Sequence, residues 1–387
     1  MTYPVVIIGS GFAAYQLVKA IRRADQQIPI HVFTADDGHD YNKPDLSHVF
    51  TRLQTAGDLI RMTGEDFAKE YQIELHSRCR VEAIDPDAHQ VFAEGCALTY
   101  SKLVLATGAR TFVPDVTGSA ADRIVTLNSL SEYEAAQQQL HQAKRVLVMG
   151  GGLIGTELAM DLAGAGKSVV IVEPSQTLMG NLLPEYLALK MQAVMRHLNV
   201  DMYLSDSVIE LECNGSHGMT VTLASGNCLQ ADVVISAAGL VPNVSLASQA
   251  GLDIRRGIVV DDTLQTSAQD IYALGDCAEI QGKVLAYLQP ALLSANALAK
   301  SLLGQPGRLA LPPMMIKVKT PHFPVQLGSA AQPSSGTLPD NARWQMDVDP
   351  QGCTARMLND AGQIKGFVVT GEHVSQALPL LKALPTE

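Results

Sequence analysis

The stretch Val5-Val6-Ile7-Ile8-Gly9-Ser10-Gly11-Phe12-Ala13-Ala14 decides the fold. Its apolar, β-branched start predicts a buried strand. Gly9-x-Gly11-x-x-Ala14 then turns the chain straight into a helix with Phe12, Leu17, Val18 and Ile21 on one side. Gly9 makes the tight turn, Gly11 lets backbone approach a pyrophosphate, and Ala14 allows close helix–strand packing. The helix N-terminus adds donors and positive potential for phosphate oxygens. A second strand, Ile30–Phe33, follows. The same layout returns 141 residues later. It reads as a strand at Arg145–Met149, then Gly150-Gly151-Gly152-Leu153-Ile154-Gly155, a helix over 154–162 and a strand over 168–172. One glycine fingerprint is a weak signal; two in the same context are a strong one.

Each copy closes on a similar strand, Leu103-Val104-Leu105-Ala106-Thr107-Gly108 and Val233-Val234-Ile235-Ser236-Ala237-Ala238-Gly239. A small residue and a glycine at a strand end suit a chain passing close to a cofactor. Turn residues beyond them, around Pro114 and Gly118 and at Pro242-Asn243, mark crossings between domains. The expected class is α/β, with two doubly wound dinucleotide-binding domains, the second inserted into the first. The first spans 1–111 and 239–310, and the insert spans 112–238. Pro312-Pro313 opens a small α+β C-terminal domain, 311–387, with strand patterns near 344–348 and 366–369. That domain also carries a loop at Gln332-Pro333-Ser334-Ser335-Gly336 and a final helical stretch near 374–384.

Among the 387 residues, 47% apolar and 17% charged exclude a disordered polymer. A net charge of −11 without a basic run argues against nucleic acid and anionic membranes. No apolar run approaches the roughly 18 residues of a membrane span, and no secretory signal is expected. The nearest of the six cysteines, Cys213 and Cys228, are 15 residues apart, so there is no C-x-x-C. We expect scattered, reduced thiols in a cytoplasmic protein, and no metal centre.

Two dinucleotide sites in one chain suggest a flavin and a nicotinamide, since hydride passes from one ring to the other. Thr266-x5-Tyr272-Ala273-Leu274-Gly275-Asp276 places an aspartate after a strand and a glycine, where it can accept from a sugar-alcohol chain. That assigns FAD to the first domain. In the insert, Glu173 stands 23 residues after Gly150 and suits the ribose 2′-OH, while opposing a 2′-phosphate. Its neighbours Pro174, Ser175 and Gln176 supply no cationic clamp, so NADH is expected over NADPH.

Residues 9–14, 106–108, 150–155, 237–239 and 266–276 together resemble, in order, the motifs of the pyridine-nucleotide–disulfide oxidoreductase superfamily. The likeness covers about residues 3–300. It implies an FAD site at Gly9, Ser10, Gly11, Phe12, Ala13, Ala14, Thr34, Ala35, Val81, Ala106, Thr107, Gly108, Asp276 and Leu288. It implies an NAD site at Gly150, Gly152, Leu153, Ile154, Gly155, Glu173 and Gly239. Disulfide- and peroxide-reducing members carry cysteines in the first domain, but residues 36–78 hold none. A reduced flavin here must therefore pass electrons to an outside acceptor.

Tyr41-Asn42-Lys43-Pro44-Asp45-Leu46-Ser47 resembles the corresponding loop of NADH-dependent reductases of small iron–sulfur proteins and rubredoxins. The resemblance implies that Lys43 lies near the flavin with Glu157 as its partner. A cation beside a reduced ring would stabilise it. Ile316-Lys317-Val318-Lys319-Thr320-Pro321 resembles the start of the rubredoxin-binding tail of rubredoxin and flavorubredoxin reductases, in which Lys319 would approach the flavin. The expected activity is electron transfer from NADH through FAD to an acidic rubredoxin, or to the rubredoxin domain of a flavorubredoxin in nitric oxide reduction. The chain is expected to act as a monomer or weak dimer. No catalytic dyad is required. A ferredoxin reductase of an oxygenase system and a flavin-binding redox sensor stay open as alternatives.

Overall fold

In the computed structural model, β1 (Val5–Ile8) lies at the middle of a five-stranded parallel sheet. It is followed by α1 (Phe12–Ala24), β2 (Ile30–Phe33), β3 (Glu74–His76) and β4 (Lys102–Leu105). The order across the sheet is Ile271–Ala273, β4, β1, β2, β3. Val5 stands in register with both Ile30 and Lys102, and the whole of β1 is buried, as the apolar run requires of a strand covered on both faces. The helix α1 buries Tyr15, Leu17, Val18 and Ile21 on one stripe and packs against the helix Leu288–Leu302.

The insert repeats this plan with β5 (Arg145–Met149), α2 (Leu153–Gly164) and β6 (Ser168–Glu173). Its parallel sheet runs Val200–Leu204, β6, β5, Val233–Ser236. Every residue of α2 from Gly155 to Leu162 is buried, so this helix is a core element on all sides.

The structure describes residues 3–215, 218–305, 307–329 and 343–385. They fall into two units. The first comprises Met1–Lys43, Asp58–Arg110 and Val241–Leu311; the second comprises Pro44–Gly57, Thr111–Leu240 and Pro312–Glu387. The tail has its own antiparallel sheet, ordered Met314–Val318, Val325–Ser329, Ile364–Gly371, Gly352–Leu358, Arg343–Asp349. An apolar cluster of Phe367, Val369, Ala377, Leu380 and Leu384 covers it. The expected terminal helix is two pieces, a 3-10 turn at Glu372–Gln376 and a helix at Ala377–Lys382. The loop expected at 332–336 lies outside the described residues. Among the described residues, no helix is long and apolar enough to cross a membrane.

Candidate functional site

The glycines of the first turn divide their work as the spacing requires. Gly9 has φ +116°, and a Cβ added there would stand 2.1 Å from the carbonyl oxygen of Ala106. A Cβ on Gly11 would meet nothing within 4 Å. Gly9 is thus fixed by close packing, while Gly11 fronts open space at the head of α1. That head has no side-chain cap at Gly11 and no acidic residue in its first turn, so its N–H groups and positive end remain suited to an anion. Gly275 brings Asp276 to the same place: a Cβ on it would lie 2.8 Å from Cβ of Ala13. Thr107 is held by Asn243, donating Oγ1 to its carbonyl at 2.7 Å and accepting its Nδ2 at 2.9 Å. These residues fit a dinucleotide laid across the head of α1.

The other residues assigned to FAD differ in what they offer. Thr34 is buried; its N–H donates to His76 O and its carbonyl accepts from Cys79 N. Ala35, next along, is exposed. Asp36 escaped the sequence reading. One of its carboxylate oxygens accepts from Ser10 Oγ at 3.1 Å, Thr34 Oγ1 at 2.7 Å and Gly38 N at 3.0 Å, which ties the end of β2 to the glycine turn. Val81 is buried at the start of the strand Val81–Asp85, and Leu288 is partly exposed as the first residue of its helix.

The second turn repeats the first. A Cβ on Gly155 would stand 2.0 Å from Gly150 O, whereas one on Gly152 would meet nothing within 4 Å. The head of α2 is likewise uncapped by side chains and free of acids, with Ile154 half exposed beside it. Glu173, at the end of β6, accepts from the backbone N–H groups of Gly151 and Ser175. Its carboxylate is therefore drawn to the rim of the glycine turn, where a ribose would be recognised. Gly239 has φ +121° and open space at its Cβ.

Lys43 pairs with Asp276, Nζ to Oδ2 at 3.6 Å. Both residues belong to the first unit, so this pairing stands beside the Glu157 partner that the resemblance implies. Glu157 has other company within the second unit: Ser47 Oγ donates to one oxygen at 2.9 Å and Lys319 N to the other at 2.7 Å. Burial pushes its carboxyl above the usual range, opposed by those two hydrogen bonds and by the Lys319 ammonium. Lys319 Nζ donates to Pro44 O at 3.0 Å and lies 3.4 Å from Asp45. His48 Nε2 is 3.8 Å from Glu157. Burial, then the Lys319 and Arg52 charges, hold this imidazole below its ordinary range, against the pull of Asp161 and Asp45.

One turn further along α2, Asp161 accepts from Phe50 N at 2.8 Å and from the hydroxyl of Thr51. Tyr133 donates to Gln54 O at 2.6 Å. Glu157 and Asp161 thus fasten Pro44–Gly57 to α2. Neither Ser47, His48 nor Asp161 stood out in sequence. The signal was there: two acids four apart on a helix that is apolar apart from them and Thr156, which no solvent-facing side could explain. All six cysteines are free; Cys79, Cys277 and Cys353 are buried, and Cys96, Cys213 and Cys228 are exposed.

A family model described as pyridine nucleotide-disulphide oxidoreductase matches residues 3–296, and one described as rubredoxin binding C-terminal domain matches 308–384. The chain is 51% identical over 386 residues to the nitric oxide reductase FlRd-NAD(+) reductase of Aliivibrio fischeri, covering 100% of both chains. It is 46% identical over 385 residues to the Escherichia coli protein of that name, again covering 100% of each. Among solved structures it resembles the ferredoxin reductase for the CYP199A2 system from Rhodopseudomonas palustris, with 26% identity and a TM-score of 0.86 over 98% of this chain and 95% of that one. It also resembles a covalent putidaredoxin reductase–putidaredoxin complex, with 25% identity and a TM-score of 0.86 over 99% and 94%.

Proposed function

The chain belongs to the pyridine nucleotide-disulphide oxidoreductase family, and on that premise we propose that it is an FAD-dependent oxidoreductase carrying electrons from NADH to a rubredoxin or flavorubredoxin in nitric oxide reduction. The observation that carries the acceptor is the tail: residues 308–384 match a rubredoxin-binding domain, and the relatives named FlRd-NAD(+) reductase are matched along their full length. FAD, when bound, supplies the chemistry of accepting two electrons together and releasing them singly.

The chain supplies binding and electrostatics. In this reading the head of α1 with Gly9, Gly11 and Ala14 holds the FAD pyrophosphate, and Asp276 accepts from the sugar-alcohol hydroxyls. The head of α2 holds the NADH pyrophosphate, and Glu173 accepts from its ribose. Lys43, Glu157 and Lys319 tune the reduced state. The tail forms the acceptor-binding domain. With all six thiols free and three of them exposed, a reducing compartment suits the chain, and we place it in the cytoplasm.

A ferredoxin is the second reading, favoured by the likeness to the two ferredoxin-type reductase structures. Steady-state NADH oxidation with rubredoxin, the rubredoxin domain of a flavorubredoxin, and a ferredoxin in parallel separates the two. We expect the highest kcat/KM with the rubredoxin-type acceptors. A ferredoxin that matches them would move the assignment, and negligible turnover with all three would leave a redox sensor.

A further inference from the structure

The sheet of the first unit brings together three side chains that no motif connects. The parallel register sets His31 of β2 beside Glu74 of β3, and His76 follows two residues on, facing the same side. We propose that His31, Glu74 and His76 form a binding site for a divalent first-row transition ion, on the edge of that sheet.

His31 Nδ1 and His76 Nε2 are 3.0 Å apart, His76 Nε2 is 3.7 Å from one Glu74 oxygen, and the three candidate ligand atoms all lie within 4.8 Å of one another. Tetrahedral bonds of about 2.0–2.2 Å to imidazole and carboxylate need ligand atoms spaced about 3.3–3.5 Å, so small side-chain shifts complete the geometry. The rings are already oriented. Phe33 stacks on His76 at 4.1 Å and 9°, and the two imidazoles lie within 19° of parallel. Two imidazoles and one carboxylate select zinc, copper or nickel over magnesium or calcium. Glu74 is 63% exposed while the two histidine side chains are 17% and 29% exposed, which leaves a fourth, water-facing position. Such an ion would pin β3 to β2 just before the chain reaches Thr34 and Ala35. The competing account is an N–H···N bond between the two imidazoles with no ion at all.

The test uses the untagged, flavin-loaded enzyme, stripped with a chelator and titrated with Zn²⁺ by calorimetry, with a thermal melt alongside. Wild type should bind one ion more tightly than any other and melt higher with Zn²⁺. His31→Ala and Glu74→Gln should each weaken that site about tenfold or more and lose the melting shift. Glu74 is exposed enough for its variant to fold unchanged, and the flavin spectrum reports on folding in both. Wild type that binds no Zn²⁺ below millimolar concentration, or variants that bind it as tightly as wild type, would overturn the proposal.

Discussion

Lys317→Glu is the sharpest probe of how the acceptor docks. Lys317 is exposed on the strand Met314–Val318, opposite Gln326. Two other cations of the same unit, Lys319 and Arg52, are already shared with a carboxylate, at 3.4 Å and 4.0 Å from Asp45. Lys317 therefore contributes the cleaner share of local positive potential on a chain whose net charge, −11, opposes an acidic partner. Two unit charges about 6 Å apart in water interact by about 0.7 kcal/mol. Reversal removes one attraction and adds one repulsion, about 1.4 kcal/mol, or about tenfold in the second-order rate at low salt. A Debye length of about 8 Å at physiological ionic strength halves that energy, leaving about threefold. The assay is stopped-flow reduction of rubredoxin by NADH-reduced enzyme across a salt series, with ferricyanide as an acceptor that needs no docking. Wild type should slow with salt, the variant should slow less, and ferricyanide reduction should stay nearly level. If Lys317→Glu reduces rubredoxin as fast as wild type at low salt, the tail strand is not the electrostatic docking surface.

Glu173→Ala should lower the ratio of NADH to NADPH kcat/KM about tenfold, the worth of a charge-assisted hydrogen bond, and an added Ser175→Arg should push it further. Equal use of both nucleotides by the unmodified enzyme would refute this. Asp161→Ala removes the acceptor for Phe50 N and for the Thr51 hydroxyl, about 3 kcal/mol, so opening of Pro44–Gly57 should rise about 100-fold. Hydrogen exchange read by mass spectrometry on that segment checks it, and unchanged protection would show that Asp161 does not hold the loop. Alkylation of the native enzyme should modify Cys96, Cys213 and Cys228, spare buried Cys277, and leave NADH-to-rubredoxin transfer largely intact. Loss of transfer with flavin still bound would reveal a redox thiol.

What was legible in sequence was short-range. The strands Ile30–Phe33 and Arg145–Met149 stand where periodicity puts them, and the open Cβ positions at Gly11 and Gly152 are those the spacing demands. Such turns are written within a dozen residues, because the constraint is local backbone geometry. The contacts around Glu157 were not legible. Ser47 reaches it across 110 residues and Lys319 across 162, and nothing in either stretch carries a periodic trace of the other. The Lys43–Asp276 pair was not legible for the same reason: Asp276 arrives through the packing of Gly275 on Ala13. His31 and His76 become neighbours only because β3 takes the edge beside β2, a choice of strand order that hydropathy does not encode.

The interleaving of the two units has a consequence for synthesis. The sheet of the first unit is not complete until Ile271–Ala273 lies against β4, which ends at Leu105. At roughly 5–20 residues per second, the ribosome takes on the order of 10–30 s to cover that interval. During it, the second unit's inner sheet can assemble on the emerging chain, while β4 waits with one side unpaired. An apolar strand left open in that way is a template for pairing with another chain. The nascent protein's most exposed moment thus falls after its inserted domain has formed and before its first domain has closed.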